Sequence, residues 1–134
     1  MTWISRGLIL LVIALHLYIA WFEIFAWTTV GADVFSTFDP GLFPETVELA
    51  ANQGVYNLFL AAGLIWSLLI TDSQWRFRVA MCFLAFVAVA GVAAAVTIEL
   101  ASGLPQFVPS VLAMIATTMA HTSRTDTVGE DGPG

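Results

Sequence analysis

The sequence predicts an all-α fold: an integral membrane four-helix bundle with both termini cytoplasmic. Of its 134 residues, 59% are hydrophobic and only 10% are charged, a composition outside the range of ordinary soluble domains. Short polar connections separate four apolar runs, each close to the roughly 20 residues that cross a bilayer. The lipid bilayer is therefore the first partner expected, and no separate soluble domain is predicted.

The first predicted helix covers residues 6–27. A secretory signal peptide would need a shorter apolar core and a small-residue cleavage site, and the bulky run from Trp21 to Trp27 offers none. We therefore expect this helix to be retained. An outer loop follows at 28–43, in which Asp39-Pro40-Gly41 is typical of a turn. Its four large apolar side chains indicate that the loop lies on the membrane surface or acts as a lid over the bundle.

The remaining helices are predicted at 44–70, 79–100 and 105–121. Together with the first they form one transmembrane domain, residues 1–121. Small residues four apart, Ala50 with Gly54 and Gly91 with Ala95, indicate close contacts between helices. The polar segment 122–134 has few apolar residues and is predicted to be a disordered cytoplasmic tail.

The positive charges set the orientation. The chain has only four, Arg6, Arg76, Arg78 and Arg124, and all fall on one side of a four-pass arrangement. Positive residues favour the cytoplasmic side, so we expect a multi-pass protein of the cell membrane with both ends inside. The net charge of −6 excludes a nucleic-acid partner, and the single cysteine excludes an intrachain disulfide.

Two ionisable residues lie inside the first apolar run. His16 is near its middle, and Glu23 is seven residues on, about 10 Å nearer the outer surface on the same helix face. Burying such a group in hydrocarbon costs at least about 2.5–3.5 kcal/mol, so Glu23 should face the bundle and find polar partners. Further candidates fall at its depth: Trp27, Asn52, Gln53, Tyr56, Asn57, Thr97 and Gln106. The sequence thus predicts a polar pocket in the outer half, with Glu23 and His16 as catalytic candidates, the others as ligand contacts, and no metal site.

Two motifs in this layer, one on each of the first two helices, carry a family resemblance. They are His16-x-Tyr18-Ile19 with Glu23 and Trp27, and Asn52-Gln53-Gly54-x-Tyr56-Asn57. Together with Ala90-Gly91 ahead of Thr97, they resemble a family of small prokaryotic four-helix membrane proteins catalogued as domain of unknown function 1304. The resemblance runs from the first helix to the fourth and omits the tail. It implies the fold and supplies no activity.

Several functions fit this pocket. The first choice is binding or isomerase-like proton transfer on a small hydrophobic or lipid-like molecule, with Glu23 as general acid or base and His16 as relay. A proton-coupled transporter resembling the small multidrug exporters is the second, although those assemble from subunits of ambiguous orientation and this chain's arginines all point one way. Haem binding through His16 is the third, and a single axial histidine argues against it; no other cofactor is predicted. A purely structural protein and a homo-oligomer are also compatible with the sequence.

Overall fold

The computed structural model describes residues 1–130, with side chains through Ser123. Its elements are α1 (Trp3–Trp21), a π-helical turn (Phe22–Ala26), α2 (Trp27–Val34), α3 (Leu42–Glu45), α4 (Val47–Leu69), α5 (Ser73–Thr97) and α6 (Leu100–Glu130). Within these described residues the fold is entirely helical. The first three elements join into one rod, because helical backbone continues without a break through the π-helical turn.

Three helical stretches in the described chain are long and apolar enough to cross a membrane: Trp3–Val34, Ser73–Thr97 and Leu100–Ser123. They are compatible with a membrane protein, but their number is three and not the predicted four. The helix left out is α4, although it has 23 residues. Its amides Asn52, Gln53 and Asn57 lower the mean hydropathy of the half that begins the helix.

The four long helices are α1, α4, α5 and α6, and each packs against two of the others. Both α1 and α5 contact α4 and α6. Met1, Arg76 and His121 line one small cleft, which places the beginnings of α1 and α5 beside the later part of α6. We call this the arginine end. Glu23 and Glu99 line a cavity at the opposite end, which we call the carboxylate end.

The apolar core lies toward the arginine end. All four long helices contribute to it through Ile9, Val12, Ile13, Ala61, Leu64, Ala80, Leu84, Val87 and Ala113. None of these side chains is more than 5% exposed. Packing this dense stabilises helix contacts through dispersion, which is the main attraction left when the surroundings are as apolar as the core.

Small residues bring the helix backbones together, as the spacing of Gly54 and Gly91 predicts. A Cβ atom added to Gly91 on α5 would lie 2.7 Å from the backbone nitrogen of Phe107 on α6. One added to Gly54 on α4 would lie 3.1 Å from the carbonyl oxygen of Ala20 on α1. The first distance is shorter than real Cβ contacts and the second is tighter than most of them, so glycine favours this close approach at both positions.

The connections are shorter than the sequence predicts. The expected loop at 28–43 is helical through Val34, and the missing side chain of Gly31 lets the ring of Phe43 pack directly onto α2. The turn expected before Pro105 is helical as well, and both Pro105 and Pro109 lie inside α6. Proline is tolerated inside such helices where neighbouring groups satisfy the freed carbonyls.

The last helix also runs further than the sequence predicts. A disordered tail is predicted over 122–134, yet α6 continues past its expected end at His121 to Glu130. The final part of the predicted tail, 131–134, lies outside the described residues.

Candidate functional site

A cavity of about 330 Å³ lies at the carboxylate end, between the first helical rod and the corner that joins α5 to α6. Most of its wall is apolar, contributed by leucine, isoleucine, phenylalanine, valine, alanine and proline side chains. Its polar lining consists of Tyr18, Glu23, Glu99, Ser102 and Gln106. The side chain of Tyr18 is 57% exposed, so the cavity opens sideways along α1.

The π-helical turn positions Glu23. It covers Phe22–Ala26 and ends where Ala26 leaves helical geometry, at φ −118° and ψ 4°. Such a turn inserts extra backbone into a helix and is frequent at functional sites. In this turn Ile24 packs against Gly54 of α4, while Phe22 and Glu23 line the cavity. The turn therefore directs a carboxylate into the space between the helices.

One hydrogen bond ties Glu23 to α4. The side-chain amide of Asn57 donates to Oε2 of Glu23 at 2.8 Å. The same amide nitrogen donates to the backbone oxygen of Gln53 at 3.2 Å, which uses both of its hydrogens and fixes its orientation. Among the described residues, Oε1 of Glu23 accepts no hydrogen bond. One carboxylate oxygen is thus held, and the other is available to a ligand.

A second carboxylate, Glu99, faces the same cavity. It occupies the two-residue corner between α5 and α6, and the hydroxyl of Ser102 donates to its Oε1 at 3.5 Å. Gln106, predicted as a ligand contact, lines the cavity two turns further along α6 and donates to the backbone oxygen of Ser102 at 3.5 Å. Sequence reasoning missed Glu99 and Ser102 as site residues. The seven-residue spacing between Glu99 and Gln106 was the available signal, since it puts both on one helix face.

His16 lies in the interior and not in the lining of this cavity. Its side chain is fully buried, and Nδ1 donates to the carbonyl oxygen of Val12 at 2.9 Å. Because a carbonyl only accepts hydrogen bonds, the proton is assigned to Nδ1, which leaves the lone pair on Nε2. Nε2 is buried and has no partner in the part of the chain that the structure describes. The structure does not bring His16 and Glu23 together in one cavity.

The remaining predicted contacts lie away from the cavity. Asn52, Gln53 and Tyr56 are exposed on the surface of α4. Thr97 is exposed as well, and its hydroxyl donates to the carbonyl oxygen of Ala93 at 2.8 Å. Of the predicted layer, the structure therefore joins Glu23 with Asn57 by a hydrogen bond and with Gln106 through the shared cavity.

Trp27 belongs to an aromatic cluster beside the cavity. Its indole Nε1 donates to the hydroxyl of Thr46 at 2.9 Å, and its ring packs 5.2 Å from that of Phe43 and 5.9 Å from that of Phe35. Phe35 also packs against Phe22, and both line the cavity. The segment after α2 is thus folded onto the rod through aromatic contacts. Trp27 itself supports the cavity wall from behind.

Metal-ligating side chains do not converge in residues whose side chains are described: no group of three or more His, Cys, Asp or Glu occurs there. The polar lining of the cavity is built from carboxylates, hydroxyls and an amide, on a scaffold that is otherwise apolar. Such a lining can accept hydrogen bonds, exchange protons and attract positive charge.

Comparison with known proteins identifies the family. The profile of a family described as "Protein of unknown function (DUF1304)" matches residues 10–118, from α1 to α6. No curated protein and no solved structure matches the chain. The match includes Glu23, Asn57, Glu99 and Gln106, and it agrees with the family suggested by the sequence motifs. The chain belongs to the DUF1304 family.

Proposed function

We propose that this is a four-pass membrane protein that binds a small hydrophobic or lipid-like molecule in the cavity at its carboxylate end. The fourth span is α4. It packs alongside α1 over most of their common length, with Gly54 against Ala20 near one end and Leu68 beside Arg6 near the other. A helix held this way against an apolar spanning helix crosses with it.

The arginines support the orientation. Arg6 and Arg76 lie at the arginine end, which by the positive-inside rule is cytoplasmic. Four spans place both termini on that side, whereas three would place them on opposite sides. Reporter fusions at the two termini test this directly. We expect both to report a cytoplasmic location, and opposite locations would contradict the four-pass arrangement.

One observation carries the binding proposal: Glu23 faces an apolar cavity with one oxygen held by Asn57 and the other without a partner among the described groups. A carboxylate at this depth is costly unless its acceptors are used, and intramembrane carboxylates are functional by default. The cavity volume of about 330 Å³ falls within the range of small-molecule sites. Its apolar walls and sideways opening suit a molecule that arrives from the bilayer.

The same arrangement supports proton transfer. Glu23 and Glu99 line one cavity, so a substrate held between them has a carboxyl group on either side. One can take a proton from one position while the other returns a proton elsewhere, which is the pattern of an isomerase. Asn57 orients Glu23 for this role. His16 does not line the cavity and is left out of the scheme.

The test is retention of a ligand by Glu23→Gln, which keeps the shape of the side chain. The protein is purified in mild detergent, and bound small molecules are identified by native mass spectrometry. We expect the wild type to retain a lipid-like molecule and the variant to retain about tenfold less, because a hydrogen bond to a charged group contributes about 1.5–3 kcal/mol. Glu48→Gln, an exposed site at the start of α4, is the matched control and should behave as wild type. Equal retention by a folded Glu23→Gln variant would refute the proposal.

A further inference from the structure

The geometry points to an amphiphile with a protonated amine head as the ligand of the cavity. This inference rests on the proposed function and narrows its substrate class. The cavity lining contains two carboxylates, Glu23 and Glu99, and no lysine or arginine. Carboxylates only accept hydrogen bonds, so the head group that satisfies them must donate. An ammonium group supplies three donors and the compensating charge together.

The charge distribution of the whole chain favours the same head group. In addition to the two cavity carboxylates, the segment from α2 to the start of α4 carries four acidic residues: Asp33, Asp39, Glu45 and Glu48. All four cationic side chains of the sequence belong to positions outside this end, at 6, 76, 78 and 124. The entrance therefore has one sign of charge. Clefts of this kind concentrate ligands of the opposite sign and repel an anionic head.

The low polarity of the cavity strengthens the attraction between an ammonium head group and the two carboxylates. Each carboxylate is partly buried and, in the part of the chain whose side chains are described, accepts a side-chain hydrogen bond from one neutral donor: Asn57 for Glu23, and Ser102 for Glu99. Two like charges facing one apolar space repel each other and lose hydration. A cation between them removes both penalties, which a neutral alcohol head does not do. The apolar wall then receives the hydrocarbon part of the same molecule.

The experiment compares three probes with the same chain length and different heads: dodecylamine, dodecanol and dodecanoate. The full-length protein is held in phosphatidylcholine nanodiscs, and saturable binding is measured from the shift in thermal unfolding midpoint. We expect dodecylamine to bind at least about tenfold more tightly than dodecanol, and dodecanoate to bind least of all.

Three substitutions, each removing one negative charge at this end, test whether dodecylamine binding depends on the cavity carboxylates or on the surface charge in general. Glu23→Gln and Glu99→Gln should each weaken dodecylamine binding about tenfold, whereas Glu48→Gln should leave it unchanged. Glu99→Gln is the variant expected to leave folding intact, because Glu99 makes no hydrogen bond between helices in the described structure. It therefore tests the inference even if Glu23→Gln misfolds. Equal loss in all three variants would show surface attraction only and would overturn the inference.

The outcomes also separate this inference from the proposed function. If dodecylamine, dodecanol and dodecanoate bind equally and saturably, the cavity binds lipid-like molecules without discriminating between their head-group charges, and only the amine inference fails. If none of the three binds saturably to the folded protein, both fail. Preference for dodecanoate would overturn the amine head while leaving an amphiphile site in place.

Discussion

The two ends of this molecule are built from the same four helices and differ in almost every other respect. Toward the arginine end, side chains from all four meet in a buried apolar core, and the buried hydroxyls of Ser5 and Ser67 are satisfied locally, whereas that of Thr117 has no partner in the described structure. Ser67, for example, donates to the carbonyl oxygen of Leu64 at 2.6 Å, within its own helix. Toward the carboxylate end, the first rod changes to a π-helical turn and separates from the α5–α6 corner to leave a cavity.

The difference shows that stability and chemistry are separated along the helix axes. The first rod takes part in both regions: Ile9 and Val12 belong to the core, and Glu23 belongs to the cavity. A packed base holds the cavity residues in place without contacting the ligand. Substitutions in the core should therefore alter the free energy of unfolding, and substitutions at the cavity should alter ligand binding with small effects on folding.

The largest effect is expected from Leu84→Ala, which opens a void in the core. Leu84 is fully buried, so we expect the free energy of unfolding to fall by about 2–5 kcal/mol. The measurement is unfolding of the purified protein in mixed micelles with increasing denaturing detergent. Leu69→Ala is the control, because this side chain is 73% exposed and should change stability by about 0.5 kcal/mol or less. Similar losses from both would contradict a specifically packed core.

A smaller effect is expected from Gly91→Ala, at the contact that joins α5 to α6 below the cavity. The added methyl group meets the backbone of Phe107, and moving that backbone should cost about 1–3 kcal/mol. Gly7→Ala, also inside a helix, is the control. Its Cβ meets nothing within 4 Å, and helix propensity predicts a gain of up to about 1 kcal/mol. A stabilised Gly91→Ala variant would show that the two helices are not in this close contact.

The smallest effect on stability is expected from Asn57→Ala, at the cavity itself. Losing the hydrogen bond to Glu23 should lower the free energy of unfolding by about 0.6 kcal/mol, the average measured between membrane helices, and by no more than the maximum of about 1.7 kcal/mol. Asn52→Ala is the matched control, since Asn52 is exposed and its side chain makes no hydrogen bond in the described structure. A double-mutant cycle with Glu23→Gln isolates the pair. A coupling energy of zero would show that the side chains of Asn57 and Glu23 do not interact.

The sequence predicted how far along their helices the residues of the carboxylate end lie. It was less successful in predicting which face of each helix they occupy. Counting about 1.5 Å per residue along oppositely directed helices places Glu23, Asn57 and Gln106 in one layer, where the structure also has them. The same count includes Asn52 and Tyr56, which are exposed on another face of α4. Depth depends only on position along the helix, whereas the face depends on how each helix is rotated.

Local backbone geometry accounts for the other differences. The π-helical turn at Phe22–Ala26 shifts every later residue of the rod around its axis, so a regular helix drawn through Glu23 and Trp27 misplaces their faces. The helical start of α6 at Leu100 brings Glu99 and Ser102 to the cavity, whereas a turn was expected there. Neither feature has a strong sequence signal, because prolines, glycines and β-branched residues lose their usual meaning inside apolar helices packed on one another.

By itself, the sequence determined the apolar helical class, the family, the separation of arginines from carboxylates, and the glycines at which helices meet. Composition, charge position and residue size indicate the class, the charge separation and the glycine contacts, and the motifs on the first two helices suggest the family, all without reference to any partner helix. Only the tertiary structure decided which side of each helix faces the cavity. The physical reason is that a membrane-facing surface and a packed core are equally apolar, so no polar period along these helices marks the inward side. Glu23 was visible in the sequence, and its pairing with Asn57 and its sharing of a cavity with Glu99 came from the fold.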